Sequence, residues 1–168
     1  MVADPAEAPE RESLNSIWTK DTDIGPCTDA SNSGWGAYYG TENRRAVGTW
    51  TPEEQELSIE HKELFALLAA WRTWGHMWSK LRIRIHCDNK PVVDCVSTGT
   101  SQAPRVMELL RTLFLVCALS NFQISAVHVA GVSNCVADSL SGHQMEEFRR
   151  LAPAARDRPN ALPWDARC

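Results

Sequence analysis

Thr28-Asp29-Ala30-Ser31-Asn32-Ser33-Gly34-Trp35-Gly36-Ala37-Tyr38-Tyr39 decides how the chain is read. A short apolar run, 24–27, leads into a carboxylate, a turn of small polar residues follows, and the alternating Trp/Ala/Tyr segment then reads as the second strand of a hairpin. Gly34 and Gly36 weaken a strand, so they argue for a bulge or for something lying close to its backbone. An aspartate beside such a turn can serve only to start it through its side chain. Three further carboxylates downstream weigh against that local role.

Outward from this hairpin, strands are expected at 24–30, 35–41 and 44–50, with Asn43 turning the chain between the last two to give an antiparallel meander. Thr51-Pro52-Glu53-Glu54 reads as a turn or a short helical start. The strongest helical periodicity covers 58–80, where Leu64, Leu67, Leu68, Trp71, Trp74, Gly75 and Trp78 recur at spacings of three and four. A tryptophan stripe could stack nucleic-acid bases. The leucines continue the same stripe, however, which fits a helix face packed on a sheet. Residues 81–88 alternate cleanly, with Leu81, Ile83, Ile85 and Cys87 on one face and Arg82, Arg84, His86 and Asp88 on the other. A strand entered from a long helix implies a crossover and a parallel neighbour. Helices are then expected at 91–97 and 104–119 and a fifth strand at 122–128. Ala130-Gly131 turns the chain, and Ser133 or Asn134 can cap a last helix to about 141. The fold class is therefore α/β: a five-stranded mixed sheet, with strands 1–3 antiparallel and strands 1, 4 and 5 parallel, flanked by helices. Ligands of such sheets gather beyond the carboxyl ends of the parallel strands.

Carboxylates stand at those ends. Asp29 closes the first strand and Asp88 the fourth, which places them roughly 5 Å apart if the strands are neighbours. Glu63 lies on the first long helix and Asp138 in the first turns of the last. Each acid has an ordinary explanation alone; Asp138, for instance, could simply complement a helix dipole. Together they would repel one another and take up protons unless a cation neutralised them. Hard oxygen donors suit Mg²⁺ or Mn²⁺, which complete their shells with water and substrate phosphate. A pair of such ions is the recurring device for in-line phosphoryl transfer.

Thr28-Asp29-Ala30-Ser31 with Gly34-Trp35-Gly36-Ala37, Glu63-Leu64-Phe65-Ala66-Leu67, Cys87-Asp88-Asn89 and the block from His128 to Ser141 resemble, in this order, the four motifs of the ribonuclease H domains of retroelement reverse transcriptases. The last block is most similar to DIRS-type and gypsy-type retrotransposons. The resemblance covers about 24–142. It implies endonucleolytic hydrolysis of the RNA strand of an RNA–DNA hybrid, an adjacent polymerase domain as partner, and Asp29, Glu63, Asp88 and Asp138 as catalytic ligands of two Mg²⁺ or Mn²⁺ ions. Two departures stand out. The loop 130–134 lacks the histidine that many members carry before the last aspartate, and His128 belongs to the strand, where a packed or hydrogen-bonded role is expected. The segment 98–105 offers one arginine where cellular enzymes often carry a basic protrusion. Both imply a weak grip on substrate. Asn32, Ser33, Asn89, Ser97 and Ser101 are candidate contacts to the hybrid, and Arg44, Arg45, Arg82 and Arg84 could meet phosphate.

Composition bounds the rest. With 168 residues, 43% apolar, the chain suits one domain with tails: a leader or linker at 1–20, the ribonuclease H-like domain at 21–142, and a mostly disordered tail at 143–168 with a helical turn near 146–151. No apolar run approaches the roughly 20 residues of a membrane span. Six cysteines without CxxC pairing fit neither a zinc site nor a disulfide scaffold and point to an intracellular setting, cytoplasm or nucleus. A net charge of −4 argues against a stand-alone nucleic-acid binder. Ser31 stands where a proofreading exonuclease would carry a second motif-one acid, and Glu63 with Asp138 argues against a transposase core. The non-enzymatic alternative is a catalytically weak or inactive ribonuclease H-fold scaffold or nucleic-acid-binding module from a domesticated retroelement.

Overall fold

Alternation and helical periodicity each bury one face of an element, and the sheet that results joins six strands. The computed structural model describes residues 21–22 and 25–162. Its strands are β1 (Asp21–Thr22), β2 (Cys27–Ala30), β3 (Gly34–Tyr39), β4 (Arg44–Thr49), β5 (Arg82–Cys87) and β6 (Gln123–His128). β2, β3 and β4 form the antiparallel meander, and β5 runs parallel to both β2 and β6. β1 and β2 follow one edge of β5 in turn, meeting it at Arg82–Ile83 and at His86, while β6 takes the whole of the other edge. The five expected strands and their directions are thus present, with the two-residue β1 added.

The first strand starts at Cys27 rather than at 24. A Cβ at Gly25 would lie 1.6 Å from the Arg84 carbonyl oxygen, so only glycine lets the chain pass β5 this closely, and Pro26 then removes an amide from the ladder. Residues 23–24 and the leader 1–20 lie outside the described residues.

Helices α1 (Pro52–Gln55), α2 (Ile59–Trp74), α3 (Lys90–Thr98) and α4 (Pro104–Leu119) lie between β4 and β6 in the chain; α5 (Cys135–Ser141) and α6 (Met145–Leu151) follow β6. Thr51 and Glu54 form a reciprocal capping box on α1, and Ser58 caps α2. The stripe on α2 is core: Trp71, Trp74 and Trp78 are each at most 1% exposed, and Trp78 meets Phe122 edge-on at 5.3 Å. It is therefore no platform for bases. The helix stops at Trp74 instead of running to 80; a 3-10 turn, Gly75–Met77, takes over where Phe122 presses against Gly75. That tighter turn still delivers Trp78 to the core. β3 likewise ends at Tyr39, before a 3-10 turn closed by Asn43 in the left-handed region (φ 52°).

The expectation of a mostly disordered tail is corrected for 143–162. Phe148 of α6 is fully buried, edge-on to Tyr38 at 5.8 Å and beneath the Arg45 guanidinium at 5.4 Å. Beyond α6 the chain follows the outer edge of β4. Arg156 and Asn160 donate backbone N–H groups to the carbonyls of Asn43 (2.8 Å) and Arg45 (2.7 Å), and Arg45 Nη2 donates to the Asp157 carbonyl at 2.7 Å. An edge strand leaves such carbonyls unpaired, and the tail satisfies them. Arg45, 6% exposed, is spent on this contact and does not face a phosphate. Residues 163–168 lie outside the described residues.

Phe148→Ala should cost about 3–5 kcal/mol in urea unfolding, the usual cost of emptying a fully buried aromatic site. A loss below about 1 kcal/mol would mean that the tail merely rests on the sheet.

Candidate metal centre

The Gly-Trp-Gly start of β3 is explained by what lies on it. A Cβ at Gly36 would come within 2.3 Å of the Leu140 Cβ and 2.9 Å of the Ser141 amide, so α5 packs directly on the β3 backbone. The close approach signalled by the glycines is made by α5 of the same chain. Asp29 pairs with Gly36 in register, and the helix that crosses there carries Asp138 and Ser141.

Several hydrogen bonds fix α5 to the end of β2. Ser141 Oγ donates to Asp29 Oδ2, and Ser31 Oγ donates to the Ser141 carbonyl at 2.8 Å. Asn134 stands at the head of α5 but does not cap it. Its side chain is buried and donates from Nδ2 to the Thr28 carbonyl at 3.0 Å, so the amide ties the helix to β2 instead. Ser133 lies in the preceding 3-10 turn, Gly131–Ser133, and makes no cap either.

Asp88 directly follows β5, two residues beyond the Cys27–His86 pair, as Asp29 is two residues beyond it on β2. His128, hydrogen-bonded as expected, holds Nε2 at 3.1 Å from the Asp88 carbonyl. Glu63 reaches the same edge from α2 and is 4% exposed, whereas Glu60, one turn earlier, is half-buried. Asp138 is solvent-exposed on α5.

The acids act on one another. Burial pushes the Asp29 carboxyl up to about 6; the Ser141 hydroxyl opposes this, and the charges of Asp88 and Asp138 add to it. Burial, and then the charge of Asp29, pushes Glu63 to about 9, against the backbone N–H of Ala30, and Asp88 raises it further. All four acids therefore belong to one electrostatic cluster. Glu63 Oε2 is buried without a hydrogen-bond partner. An orphaned carboxylate oxygen among other carboxylates is costly for protein alone and suits a hard divalent cation. Glu63 and Asp88, with carboxylate oxygens within 4.8 Å of each other, are placed to hold it, and the Asp29 charge acts on Glu63 from beside them.

Of the candidate substrate contacts, Asn32 and Ser33 are exposed on the turn after Asp29, with Ser33 Oγ 2.9 Å from Ser31 Oγ. Asn89 follows Asp88, and its Oδ1 accepts from the Val92 amide at 3.1 Å as the cap of α3, which leaves its NH₂ group to project. Ser97 does not join them. It sits near the far end of α3, about 12 Å along the helix axis from Asn89, in a cleft of about 490 Å³ with Phe114 and the β6 residues Ile124–Ala126. Ser101 Oγ accepts from the Ala103 amide at 3.2 Å, in the loop before α4.

Two residues that sequence reasoning did not single out belong to the cluster. Ser141 lies three residues after Asp138, hence on the same helix face, a spacing that was there to be read. Cys87 has its sulfur in one group with a Glu63 and an Asp88 carboxylate oxygen, all within 4.8 Å of one another. Strand alternation puts Cys87 on the core face and gives no hint that Glu63 enters from that side.

A mixed sheet with carboxylates at the carboxyl ends of its parallel strands and helices on both faces is the arrangement of the ribonuclease H fold. The chain belongs to the RNase H-like domains found in reverse transcriptases, whose family model matches residues 26–115, a span holding Asp29, Glu63 and Asp88. Among solved structures it is similar to RNase H1 of the halophilic archaeon Halobacterium salinarum, with 18% identity over 74% of this chain and 98% of that one, at a TM-score of 0.57. It is also similar to the N-terminal RNase H domain of a Mycobacterium tuberculosis protein, solved as a maltose-binding-protein fusion, with 18% identity over 71% and 94% of the two chains, at a TM-score of 0.51. At this identity the likeness shows the fold. No curated protein matches the sequence.

Because the folded state raises the Asp29 and Glu63 pKa values, the stability they contribute is complete below about pH 4 and is lost as pH rises through about 6 and about 9. In EDTA the melting temperature of Asp29→Asn should therefore fall less than that of the unaltered chain between pH 4 and 7. The difference corresponds to about 2 kcal/mol, since part of the loss set by the shift from 3.8 to about 6 has already occurred at pH 4. Superimposable melting profiles would refute the raised pKa of Asp29.

Proposed function

We propose that this domain is a divalent-metal-dependent endonuclease that hydrolyses the RNA strand of RNA–DNA hybrids, working inside the cell as part of a retroelement reverse transcriptase of DIRS or gypsy type. The observation that carries this reading is the buried, unpartnered Glu63 oxygen at the carboxyl ends of the parallel strands, with the charges of Asp29 and Asp88 acting on it and that of Asp138 acting on Asp29. Two bound ions would activate water on one side of the scissile phosphate and neutralise the leaving oxygen on the other. The protein's own part is positional. Ser141 holds Asp29, His128 and the β5–β6 ladder hold the Asp88 backbone, and the Asn134–Thr28 bond sets the head of the helix that carries Asp138. No side-chain nucleophile is required.

Recognition of a hybrid needs contacts that detect 2′-hydroxyls across a wide minor groove. The Asn32–Ser33 turn and the Asn89 amide flank the carboxylates and have the polarity for it. A net charge of −4 supplies little long-range attraction for a polyanion, so the polymerase domain is assigned most of the grip. That same charge favours the second reading, a domain whose catalysis in isolation is weak or lost and whose surviving role is that of a scaffold.

A labelled RNA–DNA hybrid incubated with Mg²⁺ or Mn²⁺ should be cut in its RNA strand, while duplex DNA and duplex RNA stay intact. Asp88→Asn should reduce the rate by more than about 100-fold, beyond the usual cost of an outer-shell substitution. Equal cutting of all three duplexes would overturn the proposed specificity. An uncut hybrid, together with a metal-dependent rise in melting temperature that Asp88→Asn removes, would select the scaffold.

A further inference from the structure

Cys87 is a soft donor in a cluster of hard ones. Its sulfur, a Glu63 oxygen and an Asp88 oxygen all lie within 4.8 Å of one another. The three residues come from different elements, and the group is closed on the core side: Cys87 is 1% exposed and Glu63 4%. One further feature gives it the character of a ligand site: Glu63 Oε2 is buried there with no hydrogen-bond partner. The thiol is held in place locally, accepting from the Asn89 backbone N–H at 3.4 Å and donating to the Asn89 carbonyl at 3.9 Å.

We infer that Cys87, Glu63 and Asp88 bind a soft divalent cation of the zinc and cadmium class, in competition with the hard cations that use the same two carboxylates. Sulfur selects such ions over Mg²⁺, which takes oxygen ligands almost exclusively. Bond lengths of about 2.3 Å to sulfur and about 2.1 Å to oxygen fit atoms this close after small side-chain rotations. On binding, the S–H bond breaks, its proton passes to solvent and a metal–sulfur bond forms, with no change of oxidation state. The consequence is a site in which zinc displaces magnesium and blocks whatever chemistry magnesium supports.

The inference rests on the reading of these carboxylates as a cation site. It is tested by titrating the full chain with Cd²⁺ while following the sulfur-to-cadmium charge-transfer band in the ultraviolet. The other cysteines are controlled for by difference against Cys87→Ser and, should that variant fold poorly, Cys87→Ala. A band that depends on Cys87, weakens at least tenfold in affinity in Glu63→Gln and is suppressed by excess Mg²⁺ is the expected result. A band unchanged in both cysteine variants, or one that needs Cys87 but ignores Glu63→Gln, overturns the inference. If Mg²⁺ raises the melting temperature of the unaltered chain and no Cys87-dependent band appears, this inference fails alone. If neither occurs, the cation-site reading fails with it.

Discussion

Like charges gathered at one sheet edge push the edge apart, and much of this molecule counters that push. Asp29 is fixed by backbone pairing and Asp88 by following the paired Cys87, but Glu63 and Asp138 arrive on separate helices and must be held there. On one face, α2 is anchored by fully buried tryptophans and leucines, far more apolar surface than positioning one carboxylate would need. On the other face α5 has only seven residues, too short to be stable by itself. Its place depends on the bare backbone of Gly36, the buried Asn134–Thr28 bond and the serine bonds to the turn after β2.

This division explains why small residues crowd the first motif. Glycine at 36 lets a helix touch a strand, and serine at 31 and 141 joins the two without bulk. Ser141 does more than tether, because its hydroxyl opposes the rise that burial and neighbouring charge impose on Asp29. Structural and electrostatic roles meet in a single hydroxyl.

Most of the architecture could be read from the chain because its signals were local. Alternation marked β5, the stripe of threes and fours marked α2, and strand ends marked where Asp29 and Asp88 had to stand. What escaped was set by tertiary contact. Trp78 keeps helical spacing, yet the helix ends four residues earlier, because a 3-10 turn beside Phe122 serves the core better. Asn134 looks like a cap but answers a carbonyl on β2. The tail has few large apolar residues to advertise order; it orders through one buried aromatic, Phe148, and through backbone bonds to β4 and Asn43 that no side-chain pattern encodes. Cys87 was hidden for the same reason: its neighbour Glu63 comes from a helix, and strand periodicity carries no information about that approach.

The tail along β4 has a bearing on assembly. By bonding to the carbonyls of Asn43 and Arg45, the segment 156–160 occupies the rim where another polypeptide could otherwise add to the sheet. Among the described residues β6 pairs only with β5, and its sequence, Gln-Ile-Ser-Ala-Val-His, carries none of the lysines or acids that usually deter such addition. Among the described residues, the tail thus covers the start of the β4 edge, while the outer edge of β6 carries no further strand. A strand added there would lie on the side away from the meander, beside the strand whose last residue, His128, holds the Asp88 backbone.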